Sequence, residues 1–138
     1  MLVVDANIVT KWFVDQVHSD RAERVQTSKQ PLVAPQLMIA EVTDALRKHV
    51  RVGDISLDQA RTALASLPRL FNEIVAMEQL ADAALALARK IEHSAYDCFY
   101  LALAESRSAR LVTADARLID RVARTKYKSH VVHLTDWT

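Results

Sequence analysis

The apolar positions of this 138-residue chain change their period several times between the two ends. Leu2-Val-Val-Asp5 is a β-branched run that reads as a short buried strand. Ile8, Val9, Trp12 and Phe13 then recur at helical spacing and predict a helix from Ala6 to Val14. A second helix is predicted from Ser19 to about Ser28, capped by Ser19 or Asp20. Pro31 to Pro35 is strand-like. Pro35 suits the first turn of the next helix, where its missing N–H has no partner to lose. That helix runs to about Val52 and stops at Gly53, the only glycine and a natural C-terminal cap. Ser56 to Leu67 reads as another helix, with Pro68 at its exit, and Asn72 to Ala76 as the weakest strand pattern. Glu78 to Glu92 places Leu80, Ala84, Leu87, Ala88 and Ile91 on one helical face. Ala95 to Ser106 is apolar nearly all round, predicting a central helix. Arg110 to Thr113 is a strand, Asp115 to Ala123 a helix and His130 to Leu134 a last strand. Strands alternating with helices predict an α/β fold with a parallel sheet covered on both faces.

Length and composition fit one globular domain spanning residues 1–138, with 51% hydrophobic and 25% charged residues. A net charge of +1 gives no overall attraction to nucleic acid or membrane. The local distribution says more: Arg107, Arg110, Arg117, Arg121, Arg124, Lys126 and Lys128 are interrupted only by Asp115 and Asp120. Such a stretch reads either as a solvated face or as a phosphate-attracting rim. Cys98 is the single cysteine, so no internal disulfide forms, and a cytoplasmic location is expected. Its apolar helical setting suits a small buried residue. Neither a signal peptide nor a membrane-spanning stretch is read from the sequence.

Four acids change this bland picture. Asp5 ends the first strand, Glu41 interrupts Leu37-Met-Ile-Ala-Glu-Val42, Asp97 opens the central helix and Asp115 follows Leu111-Val-Thr-Ala. Ionised carboxylates are rarely buried unless paired, and no lysine or arginine stands at positions matched to all four. Hard divalent cations take oxygen ligands, so a Mg²⁺ or Mn²⁺ site serving phosphoester cleavage is the leading expectation. Asp5 and Asp115 also fit as helix N-caps, and Ser94-Ala-Tyr-Asp97 has capping-box spacing. Glu41 lies too deep in its helix to cap it, and Arg47 and Lys48 are poorly spaced to pair with it. Close carboxylates raise one another's pKa until cations offset the repulsion, and one or two ions fit the pattern equally. Asn7 and Thr113 are candidate supporting residues, by their polar groups beside Asp5 and Asp115. Asp120 either joins the site or pairs with Arg117, Arg121 or Arg124.

In these segments the chain resembles the PIN-domain ribonucleases, and among them the VapC-like toxins of toxin–antitoxin modules. The resemblance rests on Val3-Val-Asp-Ala-Asn7, Ala34-Pro-Gln-Leu-Met-Ile-Ala-Glu-Val42, Ala95-Tyr-Asp-Cys-Phe-Tyr-Leu-Ala-Leu-Ala-Glu105 and Leu111-Val-Thr-Ala-Asp115. It covers nearly the whole chain, and the third segment is the most specific. It implies a five-stranded parallel sheet in the order 3-2-1-4-5 and Mg²⁺- or Mn²⁺-dependent cleavage of RNA. Asp5, Glu41, Asp97 and Asp115 become the acidic quartet, with Asp5 and Asp97 as direct metal ligands. A homodimer is implied as well. So is inhibition by a cognate antitoxin whose C-terminal segment crosses the groove, held on a clip-like surface of the second to fourth helices, about Ser19 to Leu67. Leu57, Leu64 and Leu67 are core or interface on that surface.

Rival readings need residues that are absent. A phosphoaspartate receiver needs an aspartate ending its third strand and a lysine ending its fifth, but Ala76-Met77 follows Val75 and His133 follows Val132. A haloacid-dehalogenase-type phosphatase needs a second aspartate where Asn7 stands. A P-loop needs more than one glycine. The five histidines lie in no hydrolytic motif, and His130 and His133 suit surface or sheet-edge positions better than zinc ligation.

Overall fold

The computed structural model describes residues 1–138. Five parallel strands, β1 (Leu2–Val4), β2 (Leu32–Pro35), β3 (Glu73–Val75), β4 (Arg110–Thr113) and β5 (Val131–His133), form one sheet in the order β3-β2-β1-β4-β5. Seven α-helices connect them: α1 (Ala6–Thr10), α2 (Ser19–Gln26), α3 (Leu37–Arg51), α4 (Leu57–Leu70), α5 (Ala81–Ile91), α6 (Ala95–Ser106) and α7 (Ala116–Val122). Short 3-10 turns precede α5 and β5. Strands β1 and β2 are buried along their whole length and β4 along all but Arg110, as apolar strands of a covered parallel sheet should be. The chain builds outward from β1 to β3, then returns to lay β4 on the other side of β1. The order therefore reverses between β1 and β4, and a crevice opens beyond their carboxyl ends.

Helix α6 packs against β1, β2 and β4. It buries Cys98, Tyr100, Leu101, Ala102, Leu103 and Ala104, the near-continuous apolar surface that its sequence predicts. Helices α3 and α5 instead bury one stripe each, through Met38, Val42 and Leu46 and through Ala84, Leu87 and Ile91. Of the leucines on α4, Leu67 is fully buried and Leu64 packs on the core, whereas Leu57 is largely exposed.

Several boundaries differ from expectation for tertiary reasons. Helix α1 ends at Thr10, and Trp12 leaves the helix to donate its indole N–H to the Ala22 carbonyl at 2.8 Å and stack near Phe71. The cap of α2 is His18, in the left-handed region at φ 65°, while the Ser19 hydroxyl accepts from the Gln16 N–H. Pro35 ends β2 in register with Val75, and Gln36 is the cap of α3. Pro68 lies inside α4, in its last turn, where few backbone bonds remain to be lost. The last strand is shorter than expected, because Lys126–His130 forms a 3-10 turn. The weak strand at 73–75 is real. Asn72 brackets Leu32 with its side-chain oxygen and its backbone N–H, and Arg107 grips Glu73 through two guanidinium nitrogens at 2.6 and 2.9 Å. Long-range pairing thus orders a segment whose own pattern is faint.

Gly53 ends α3 as its sequence position predicts. The Gly53 N–H reaches the Val50 carbonyl at 3.1 Å and the Asp54 N–H reaches the His49 carbonyl at 2.9 Å, a Schellman motif with glycine at φ +83°. No neighbour stands within 4 Å of an added Cβ, so a side chain there meets strain but no clash. Gly53→Ala is expected to cost about 1 kcal/mol and Gly53→Asn distinctly less, measured by urea unfolding. Equal stability of Gly53→Ala and the parent would contradict this account.

Candidate metal centre

The first strand delivers Asp5 to the crevice because β1 is too short to continue and α1 begins at Ala6. Asp5 has extended backbone and makes no side-chain capping bond, so the N-cap explanation fails for it. The residue is only 6% exposed. The Thr113 hydroxyl, itself fully buried at the end of β4, donates to Asp5 Oδ2 at 2.8 Å. The same hydroxyl oxygen accepts the Asp115 N–H at 3.0 Å and the Asn7 amide at 3.4 Å. Asn7 Oδ1 in turn accepts the Ala114 N–H at 3.1 Å. Two residues expected to be supporting therefore lock the ends of β1 and β4 together and fix Asp5 relative to Asp115.

Asp115 does cap its helix, accepting the Arg117 N–H at 2.9 Å through Oδ1. Asp97 does not complete a capping box: Ser94 accepts the Tyr96 N–H alone, and Asp97 Oδ2 lies 2.6 Å from His93 Nε2. Glu41 emerges from α3 beside its buried stripe and accepts the Tyr100 hydroxyl at 2.6 Å. Arg47 and Lys48 pair with Asp44 and leave Glu41 alone. No lysine or arginine forms an ion pair with any of the four acids.

These acids meet through Asp97. Asp5, Glu41 and Asp97 line one cavity of about 220 Å³, together with Ala6, Asn7, Thr10 and Ala45. Asp97 and Asp115 join His93 in a tighter group, whose donor atoms all lie within 4.8 Å of one another. Asp5 and Glu41 stand outside that tighter group. Carboxylate oxygens suit hard divalent ions, and one imidazole nitrogen is compatible with Mn²⁺ as well as with softer metals. The donor set fits a divalent cation. Asp120 remains outside both groups and pairs with none of its neighbouring arginines.

The electrostatics are those of acids held without counterions. Burial pushes Asp5 up to about 7, partly relieved by the Thr113 hydrogen bond and reinforced by Asp97 and Glu41. Burial also raises Glu41, against the Tyr100 hydrogen bond and with help from Asp97. Tyr100 itself is held well above its ordinary range by burial and by the charges of Asp5 and Glu41, so its hydroxyl remains a donor. Cys98 is pushed up to about 11, chiefly by burial, which removes it as a nucleophile. His130 and His133 bond the Ala109 carbonyl and the Thr135 hydroxyl, in keeping with local structural roles.

His93 and Tyr100 were not singled out by their sequence context. Their spacing was the available signal, since each lies within one helical turn of Asp97, at i−4 and i+3.

A carboxyl whose folded pKa exceeds its unfolded value binds its proton more tightly in the folded chain. Stability is then lost as pH rises from the unfolded value near 3.8 through the folded value of about 7. In chelator, the parent protein is expected to lose up to about 4 kcal/mol across that window from Asp5. Asp5→Asn, which retains an acceptor for Thr113, should melt higher than the parent at pH 8 without metal. Millimolar Mn²⁺ should narrow that gap by stabilising only the parent. Thermal melts at several pH values check this, and a parent more stable at pH 8 than at pH 5 in chelator would refute it.

The PIN domain model matches residues 2–125. Ribonuclease VapC3 of Pyrobaculum aerophilum is 34% identical over 122 residues, covering 87% of this chain and 93% of the relative. Two solved structures share the fold, each with a TM-score of 0.71. A toxin–antitoxin complex from Klebsiella pneumoniae is 19% identical, covering 97% of this chain and 98% of that one. The crystal structure of PAE2754 from Pyrobaculum aerophilum is 24% identical, covering 97% and 89%. A sheet of the same order, four acids around one crevice and a family match along most of the length agree: the chain belongs to the PIN domain family, among the VapC-like proteins.

Proposed function

We propose that this chain is a divalent-metal-dependent endoribonuclease acting in the cytoplasm as the toxin of a toxin–antitoxin module. The observation that carries the reading is the position of Asp97, which shares one cavity with Asp5 and Glu41 and one donor group with Asp115. Acids so placed, without a lysine or arginine between them, are what a Mg²⁺ or Mn²⁺ ion requires. Asp5, Glu41, Asp97 and Asp115 would hold the ion between them, with Asp97 common to the cavity of Asp5 and Glu41 and to the donor group of Asp115. When bound, the cation supplies positive charge against the phosphate and a lowered pKa for water.

The chain's own residues do the rest. Thr113 and Asn7 keep Asp5 and Asp115 in register across the β1–β4 junction. Tyr100 fixes one oxygen of Glu41, and the remaining oxygen is available to accept a proton from the attacking water. Hydrolysis then forms one bond from water oxygen to phosphorus and breaks the bond to the departing nucleotide oxygen, which takes up a proton.

An RNA substrate is supported by the ribonuclease relative, and an antitoxin partner by the Klebsiella complex of the same fold. Helices α2 to α4 are the surface we assign to that partner. Ile39, Val52 and Leu57 are exposed there, and a cavity of about 550 Å³ lies between Trp12, Phe13 and α4. The chain acts as one domain and pairs with a second copy, a stoichiometry that light scattering reads directly.

Asp97→Asn is expected to lower Mg²⁺- or Mn²⁺-dependent RNA cleavage by at least about a thousandfold, with an unchanged circular dichroism spectrum. Cleavage of a mixed RNA pool at the parent rate by Asp97→Asn would end the proposal. Expression of the parent in a bacterial host should arrest growth, and co-expression of the adjacent reading frame should relieve it.

A further inference from the structure

Beyond the acids, the crevice runs into a second cavity of about 600 Å³ lined only by His93, Arg117, Asp120, Arg121 and Arg124. We propose that this basin holds the sugar-phosphate backbone of the RNA strand beside the cleavage point. The inference rests on the nuclease reading and assigns its substrate a path.

Four observations carry it. No hydrophobic residue lines the basin, and four of its five side chains are charged arginines or aspartate, so it is built to meet charge. Arg117 and Arg121 stand at i and i+4 on one face of α7, with Leu118 and Val122 buried on the other, and Arg124 follows in the turn just after the helix. None of their guanidiniums forms an ion pair or a side-chain hydrogen bond, whereas Arg107 is committed to Glu73 and Arg47 to Asp44. The basin is also continuous with the acids: His93, on its wall, lies 2.6 Å from Asp97, and Asp115 caps the helix that carries Arg117 and Arg121.

Guanidinium forks match phosphate oxygens. An acidic crevice repels RNA, so a basic surface at its lip is what draws the strand across it. Contacts of this kind position a nucleic acid without reading its sequence. Asp120 sits among the arginines as the one opposing charge, so its removal should strengthen binding.

The test is fluorescence anisotropy of a labelled, unstructured single-stranded RNA titrated with the full chain in EDTA, where no cleavage occurs, at several salt concentrations. Arg121→Ala/Arg124→Ala should make the slope of log affinity against log salt shallower by about 1.4, at about 0.7 per phosphate contact of a single strand. Lys29→Ala/Arg69→Ala removes the same charge near the amino ends of β2 and β3, away from the crevice, and should keep the parent slope. Asp120→Asn should bind several-fold more tightly, a gain that a misfolded variant cannot show. Parent-like binding by Arg121→Ala/Arg124→Ala would overturn the proposal, as would an equal loss in the Lys29/Arg69 pair. It would equally be overturned if the arginine variants changed the eluted mass of the chain and left RNA binding intact, which would assign the basin to a protein partner. If RNA binding depends on the basin but bound RNA is never cut with Mg²⁺ or Mn²⁺, the nuclease reading fails while this one stands.

Discussion

Asp5 is the constraint around which this molecule is organised. A buried carboxylate without a cation is costly, and a single hydroxyl, that of Thr113, is its main protein donor. An apolar residue at position 5 would relieve the burial cost, and the proposed metal site gives the carboxylate a use that offsets it. The strand pair β1–β4 exists in a register that sets Val4 beside Val112 and thereby brings Asp5 and Thr113 to the same end of the sheet. Stability is spent there to keep a pre-shaped cluster of oxygens.

The other acids enter on elements that are rigid for independent reasons. Glu41 rides on a fifteen-residue helix anchored by Met38, Val42 and Leu46, and Asp97 opens the most deeply packed helix of the fold. Asp115 is tied down by the helix it caps. Polar groups on such supports are placed by packing far from the chemistry. The Tyr100–Glu41 and His93–Asp97 contacts add a second restraint, one from the helix of Asp97 and one from the segment just before it. Asp97 thus links the two halves of the site mechanically as well as spatially.

Much of this was legible in the chain itself. Strands β1 and β4 are dense β-branched runs, Gly53 is the one residue able to take a left-handed turn without penalty, and the four acids interrupt apolar segments where solvation cannot account for them. What was hidden depends on partners distant in sequence. Trp12 belongs to an apolar helical pattern, yet it leaves the helix for the Ala22 carbonyl. Pro35 could start a helix by its own preferences, yet pairing with β3 keeps it in a strand. Pro68 reads as an exit until the last turn of α4 is seen to tolerate it. Local rules also left Asp5 and Asp115 equal as caps. Only the structure separates them, because Asp115 caps and Asp5 does not.

The two margins of the sheet carry a further consequence. Both β3 and β5 are three residues long, and β3 is clamped from outside by the Arg107–Glu73 fork. Margins this short, one of them carrying a charged pair, offer little template for another strand to zip onto. Copies of this protein crowded together are thereby steered away from open-ended polymerisation through shared backbone ladders. Any pairing between them is left to side chains on the helical faces, where geometry can close the assembly at a finite size.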